Sequence, residues 1–181
     1  MRKLNARSTK SNAGSLKKTP QKYKRVGADE TVHVLLRVRS ENGQTITSHR
    51  DMAVKKGAAL LGKMGQPVGP DLVGRLNNQI QLGTKTYLFL TIREGWNGPY
   101  VTYRCPLRQV HEKLDPAKRA LVPGYYAFES HLVKTWFEIA GVERLDRDEM
   151  NRIVVLSSGR TIMSVIASSA TVFCVGLPSK K

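Results

Sequence analysis

The chain has 181 residues, 40% of them hydrophobic, and 30 Lys and Arg against 14 Asp and Glu give it a formal charge of +16. That length supports one buried core, and the charge calls for an anionic neighbour, nucleic acid or the charged face of a membrane. Its two cysteines, Cys105 and Cys174, lie far apart with no CxxC pair, which excludes a zinc ribbon and a disulfide scaffold.

Residues 1–28 carry Arg2, Lys3, Arg7, Lys10, Lys17, Lys18, Lys22, Lys24 and Arg25 and no acid. Few aliphatic side chains are present to offset the entropy of ordering, so a disordered basic tail is expected there. The segment lacks the apolar stretch of a secretory signal and the amphipathic stripe of a mitochondrial presequence. The following "TVHVLLRVRS" predicts a strand, with Val32, Val34, Leu36 and Val38 on one face. Asn42-Gly43 then suits a tight hairpin turn, with "TIT" as a short return strand.

Ser48 and Asp51 have the spacing of a helix-opening cap, and Val54, Ala58, Leu61 and Met64 recur at helical spacing up to Gly65. Pro70 opens a second predicted helix, with Leu72, Val73, Leu76 and Ile80 inward and Gly83 as its stop. "TKTYLFLTIRE" and "YVTYRCPLRQV" flank "GWNGP" as a long hairpin, and "HEKLDPAKRALVPG" is a crossover with room for one helical turn. In "YYAFESHLVKTWFEI" the first half reads as helix and "VKTWFEI" as strand. Thr161 to Leu177 carries no charge, but it is short for a membrane span and broken by Ser168-Ser169, so it is expected to form two buried strands, with a tail anchor as the alternative. The fold class is α+β: a single domain over 29–181, with a mostly antiparallel sheet and two or three packed helices, behind the tail of 1–28.

Residues able to do chemistry are scattered. His33, His49, His111 and His131 lack metal-site spacing, and no metal or cofactor is expected. Cys105 with His111 or His131 carries no nucleophile signature. The acids Glu143, Asp146, Asp148 and Glu149 are interleaved with Arg144, Arg147 and Arg152, as on a self-neutralised face. Catalysis is therefore not expected. Trp96, at the presumptive hairpin tip, is a candidate exposed anchor; Trp136 and Phe137 lie in an apolar run, and Tyr125 and Tyr126 could stack on bases or close the core.

The order of parts over "TVHVLLRVRSENGQTITSHRDMAVKKGAAL", behind a basic leader, resembles the matrix proteins of rhabdoviruses, especially the short ones of plant-infecting members. The likeness covers about Thr31 to Leu61. It implies a viral structural protein, without enzymatic activity, that self-associates and links the nucleocapsid or its RNA to the anionic inner face of a membrane through the leader. Such a protein would be found in the virion and host cytoplasm, peripheral at membranes, with nuclear residence left open. The leader has no PPxY or PTAP motif, so budding through host sorting machinery is not implied. A second stretch, "KTWFEIAGVERLDR" followed by "GRTIMSV", is similar to the closing half of PUA-like modules of the EVE and YTH kind. That likeness implies an RNA- or modified-base-binding module, with Trp96 or Trp136 in an aromatic cage.

Overall fold

The computed structural model describes residues 30–38, 43–95, 97–126, 128–167 and 172–177. The elements in chain order are β1 (His33–Val38), α1 (Gly43–Lys56), β2 (Ala59–Met64), α2 (Pro70–Gln81), β3 (Tyr87–Arg93), β4 (Tyr100–His111), β5 (Val133–Ile139), β6 (Glu143–Arg144), α3 (Arg147–Arg152), β7 (Val154–Val155), α4 (Ile162–Val165) and β8 (Val172–Gly176). Three 3-10 segments, Pro116–Leu121, Gly124–Tyr126 and Ser130–Leu132, lie between β4 and β5. The expected α+β class, with a mostly antiparallel sheet, is what the chain forms.

The sheet runs β2-β5-β4-β3-β1-β8-β7, with β6 on β4. Among the described residues only β1 and β3 pair in parallel, in the register Val34↔Leu88. A parallel pair needs a long crossover, and α1, β2 and α2 together supply it. The twelve-residue β4 holds the sheet together, since its first half pairs with β3 and its last residues pair with β5.

Both faces of the sheet are covered. One face, with Val34, Leu36, Leu61, Leu88 and Phe137, packs against Ile46 and Ala53 of α1 and Val73 and Leu76 of α2. On the other face, Leu35 and Phe89 meet Met150 of α3 and Ile162 of α4, while Leu60 and Trp136 meet Tyr126 from the 3-10 segments. Burial on two faces explains why "VLL" and "ALL" read as continuous apolar runs instead of alternating ones.

The segment after β1 departs from expectation. Residues 43–56 form one helix, so Gly43 opens α1, the supposed return strand "TIT" lies within its first turn and a half, and Ser48 and Asp51 sit mid-helix with no capping role. The inward face is Thr45, Ile46, His49 and Ala53, whereas Val54 is 80% exposed. Two polar residues in that stripe hide its period from a hydrophobicity reading. Gly57, at φ +77°, ends the helix, and the expected helical residues up to Met64 form β2 against β5 instead.

The second helix matches its expectation from Pro70 to the positive-φ Gly83, and the β3–β4 hairpin matches too. The crossover turn is 3-10, opened by the Asp115 side chain accepting from the Ala117 N–H. The "YYAFESHL" half is two 3-10 turns, not a helix, and "VKTWFEI" is β5. The expected two strands over Thr161 to Leu177 are corrected to a helical turn, α4, followed by β8; Ile162 and Ile166 are both buried at helical spacing, and Ile162 joins the second core. Ser168-Ser169 lies outside the described residues, among which no helix is long and apolar enough to cross a membrane.

Side-chain amides dock α2. Asn77 Nδ2 donates to the Val110 carbonyl at 2.9 Å and Asn77 Oδ1 accepts from the Val110 N–H at 2.8 Å. Gln79 makes the same two-way contact with Val32, at 2.8 Å in each direction. Each amide takes the place of a peptide group in a missing neighbour strand. Asn77→Ala is expected to lower stability by about 1–3 kcal/mol, since it strands two partly buried backbone groups; urea unfolding against the native chain measures it.

Candidate functional site

A cavity of about 660 Å³ opens where the last residues of β1, the first turn of α1, β2 and the Gly124–Tyr126 turn meet. Leu36, Arg37 and Val38 bring the last residues of β1 to it. Leu36, Thr45, Leu61 and Tyr126 are buried and form its floor, and Arg37, Lys63 and Tyr125 are half-buried walls. Gln44, Met64 and Glu129 are exposed at the rim.

Two aromatic groups fix this region against β2. The Tyr126 hydroxyl accepts from the Gly62 N–H at 2.9 Å and donates to the Gly62 carbonyl at 3.2 Å, a full set of partners for a strand residue without a neighbour on that side. Burial drives this phenol far above its ordinary range, so it remains a donor. Tyr126 also meets Trp136 edge-on at 5.4 Å, and Tyr125 lies over Tyr126 at 4.3 Å between centroids. The Tyr125 hydroxyl is shielded beside Tyr126 and Thr45 without a hydrogen bond of regular geometry, and burial raises its pKa.

His49 is fully buried behind the cavity. Its Nδ1 lies 2.6 Å from the Thr45 carbonyl and its Nε2 lies 3.2 Å from the Leu60 carbonyl. A neutral ring has one N–H for two acceptors; burial lowers its pKa more strongly than the two carbonyls raise it. Lys63 turns its ammonium onto the Met64 carbonyl at 3.4 Å and onto the Gln66 carbonyl. Carbonyl oxygens hold the charge without neutralising it, and burial lowers the lysine's pKa.

Two further polar clusters have structural roles. Glu138 accepts from Lys118 at 2.6 Å and from His111 at 3.3 Å, which ties the crossover to β4 and β5. Burial pushes that carboxyl upward, yet the Lys118 and His111 contacts outweigh it and leave it below its ordinary value. Arg104 bridges Glu143 at 2.7 Å and Glu149 at 3.3 Å, and Asp146 caps α3 in a reciprocal box with Glu149. The acidic face is therefore balanced by a cation from β4, and Arg144 pairs instead with Glu94.

Among the residues singled out in the sequence, the nine cations from Arg2 to Arg25 and Trp96 lie outside the described residues. Trp136 is 2% exposed in the core, which removes it as an accessible cage residue. Cys105 is fully buried, and desolvation raises its thiol far above the range where a thiolate forms. Among the described residues no three His, Cys, Asp or Glu side chains converge as metal ligands. The cavity unites residues from Leu36 to Glu129, a separation no local motif records; of its lining, the Tyr125-Tyr126 pair alone is a binding candidate in the sequence, while Leu36, Val38, Leu61 and Met64 read there as core positions. Neither a protein-family model, a curated protein nor a solved structure is significantly similar to the chain.

Tyr126→Phe is expected to cost about 1–3 kcal/mol, since it leaves both polar groups of Gly62 unpaired; thermal and urea unfolding read this. Acid should also destabilise the fold through His33. This residue is 3% exposed, its Nδ1 accepts from the Tyr87 N–H at 3.2 Å, and burial lowers its pKa to about 4. The unfolded chain protonates it from about pH 6.5 downward while the folded chain does not, so stability falls between pH 6.5 and 4. The loss amounts to at most about 3 kcal/mol, and His33→Gln should flatten that part of the urea-midpoint profile.

Proposed function

We propose that the chain is a structural assembly protein of the viral matrix type. Its basic arm binds the anionic inner face of a membrane and the ribonucleoprotein beneath it, and the domain behind the arm self-associates. The observation that carries this reading is the run of nine cations without an acid in residues 1–28 of a chain of charge +16. Near an anionic bilayer each cation contributes about 1 kcal/mol, and against RNA phosphates the same residues release counterions. The domain supports the arm as a scaffold: its ionised clusters at Arg104 and Glu138 hold elements together.

The alternative, a PUA-like module for RNA or a modified base, loses Trp136 as a cage residue through burial. Sedimentation separates the two readings. Nuclease-treated protein is spun with vesicles containing phosphatidylserine and with neutral vesicles across a salt series, alongside a full-length variant whose nine arm cations are Gln. The expected result is binding to the anionic vesicles alone, lost with salt and with the Gln variant, together with self-association at low salt. A persistent monomer that ignores vesicles would overturn the matrix reading in favour of the RNA module.

A further inference from the structure

We propose that the cavity between β1, α1 and β2 binds a nucleotide, with the base against the Tyr125 ring and the phosphate beside Lys63. The site belongs to the folded part of the chain, so it goes beyond the arm-based function and is tested separately from it.

The volume of about 660 Å³ falls within the roughly 300–1,000 Å³ of small-ligand sites. Its lining combines three chemistries. Leu36 and Leu61 give an apolar floor, Tyr125 gives a half-buried aromatic wall, and Lys63 gives a positive charge that the Met64 and Gln66 carbonyls contact. The first turn of the fourteen-residue α1, through Gln44 and Thr45, brings the positive end of a helix to the same space.

Other ligand classes leave part of this lining unused. An apolar molecule would set nothing against the ammonium of Lys63. A bare inorganic anion would leave the aromatic wall and most of the volume empty. An extended peptide adding to β2 would need its free edge, whereas the outward groups of Gly62 and Leu60 are occupied by Tyr126 and His49. A planar aromatic ring carrying a phosphate meets the floor, the wall and the charge together, and stacking on a tyrosine accepts any base. The positive charge of the chain as a whole raises the local concentration of such anions.

The test is calorimetric titration of the full-length protein with AMP and UMP, with ribose 5-phosphate, adenosine and inorganic phosphate as partial ligands. The variants are Tyr125→Leu, Lys63→Gln, and one with Lys17, Lys18, Lys22 and Lys24 replaced by Gln. One saturable AMP site is expected, weakened about ten-fold or more by Tyr125→Leu and several-fold by Lys63→Gln, and unchanged in the arm variant. Tyr125 packs on Tyr126, so its replacement could disturb folding. Photolabelling of the native chain with 8-azido-AMP avoids this and should modify the peptide that contains Tyr125. A tetranucleotide RNA that competes for the site and binds more tightly than AMP marks an RNA strand as the source of the nucleotide; equal affinity marks the free mononucleotide. The inference is overturned if AMP fails to saturate, if ribose 5-phosphate or phosphate binds as tightly as AMP, if the label maps elsewhere, or if only the arm variant loses binding.

Discussion

Every backbone N–H and C=O taken out of water needs a partner, and in this protein that requirement governs the architecture more visibly than apolar packing does. The sheet has places where no neighbouring strand is available, and a side chain with matched donor and acceptor fills each of several. Asn77 serves Val110, Gln79 serves Val32, and Tyr126 serves Gly62. These contacts also set the positions of the layers. The two amides hold α2 at the ends of β4 and β1, and the Tyr126 hydroxyl holds the Gly124–Tyr126 turn over β2. The cavity lies within this arrangement, bounded by the last residues of β1 and by a tyrosine pair tied to β2.

Parts of the fold were legible where one local signal dominated. α2 has a proline at its start, a glycine just past its end and four apolar residues at one period, so its bounds could be read directly. The β3–β4 hairpin announced itself through two β-branched and aromatic runs around Asn97-Gly98. α1 was misread because its buried stripe contains Thr45 and His49, and because Asn42-Gly43 is a strong turn signal in isolation. "AALLGKM" carries helical spacing by coincidence; its pairing with β5, about seventy to eighty residues away, decides the matter, and no local property encodes that. The cavity was illegible for the same reason. Arg37, Lys63 and Tyr125 become neighbours only after the long crossover is closed.

The folded part and the leader divide the chain's electrostatics. In the described residues several charged side chains are engaged in fixing elements to one another: Arg104 joins β4 to β6 and α3, and Lys118 joins the crossover to β5. The leader has no acid of its own with which to pair. Under the proposed function, an anionic partner taken up by residues 1–28 would leave in place the ion pairs that position the core.

The treatment of the outermost strands bears on solubility at high local concentration. β7 has only two residues, too short to template a neighbour, and β2, at the opposite edge, offers an incoming strand a surface already filled by a phenol and an imidazole, with Lys63 beside them. Open edges of longer length invite cross-chain pairing and fibrous aggregation. In the proposed assembly role, which would draw many copies onto a polyanionic surface, two edges blunted in this way would direct contact between copies away from sheet extension and toward side-chain surfaces.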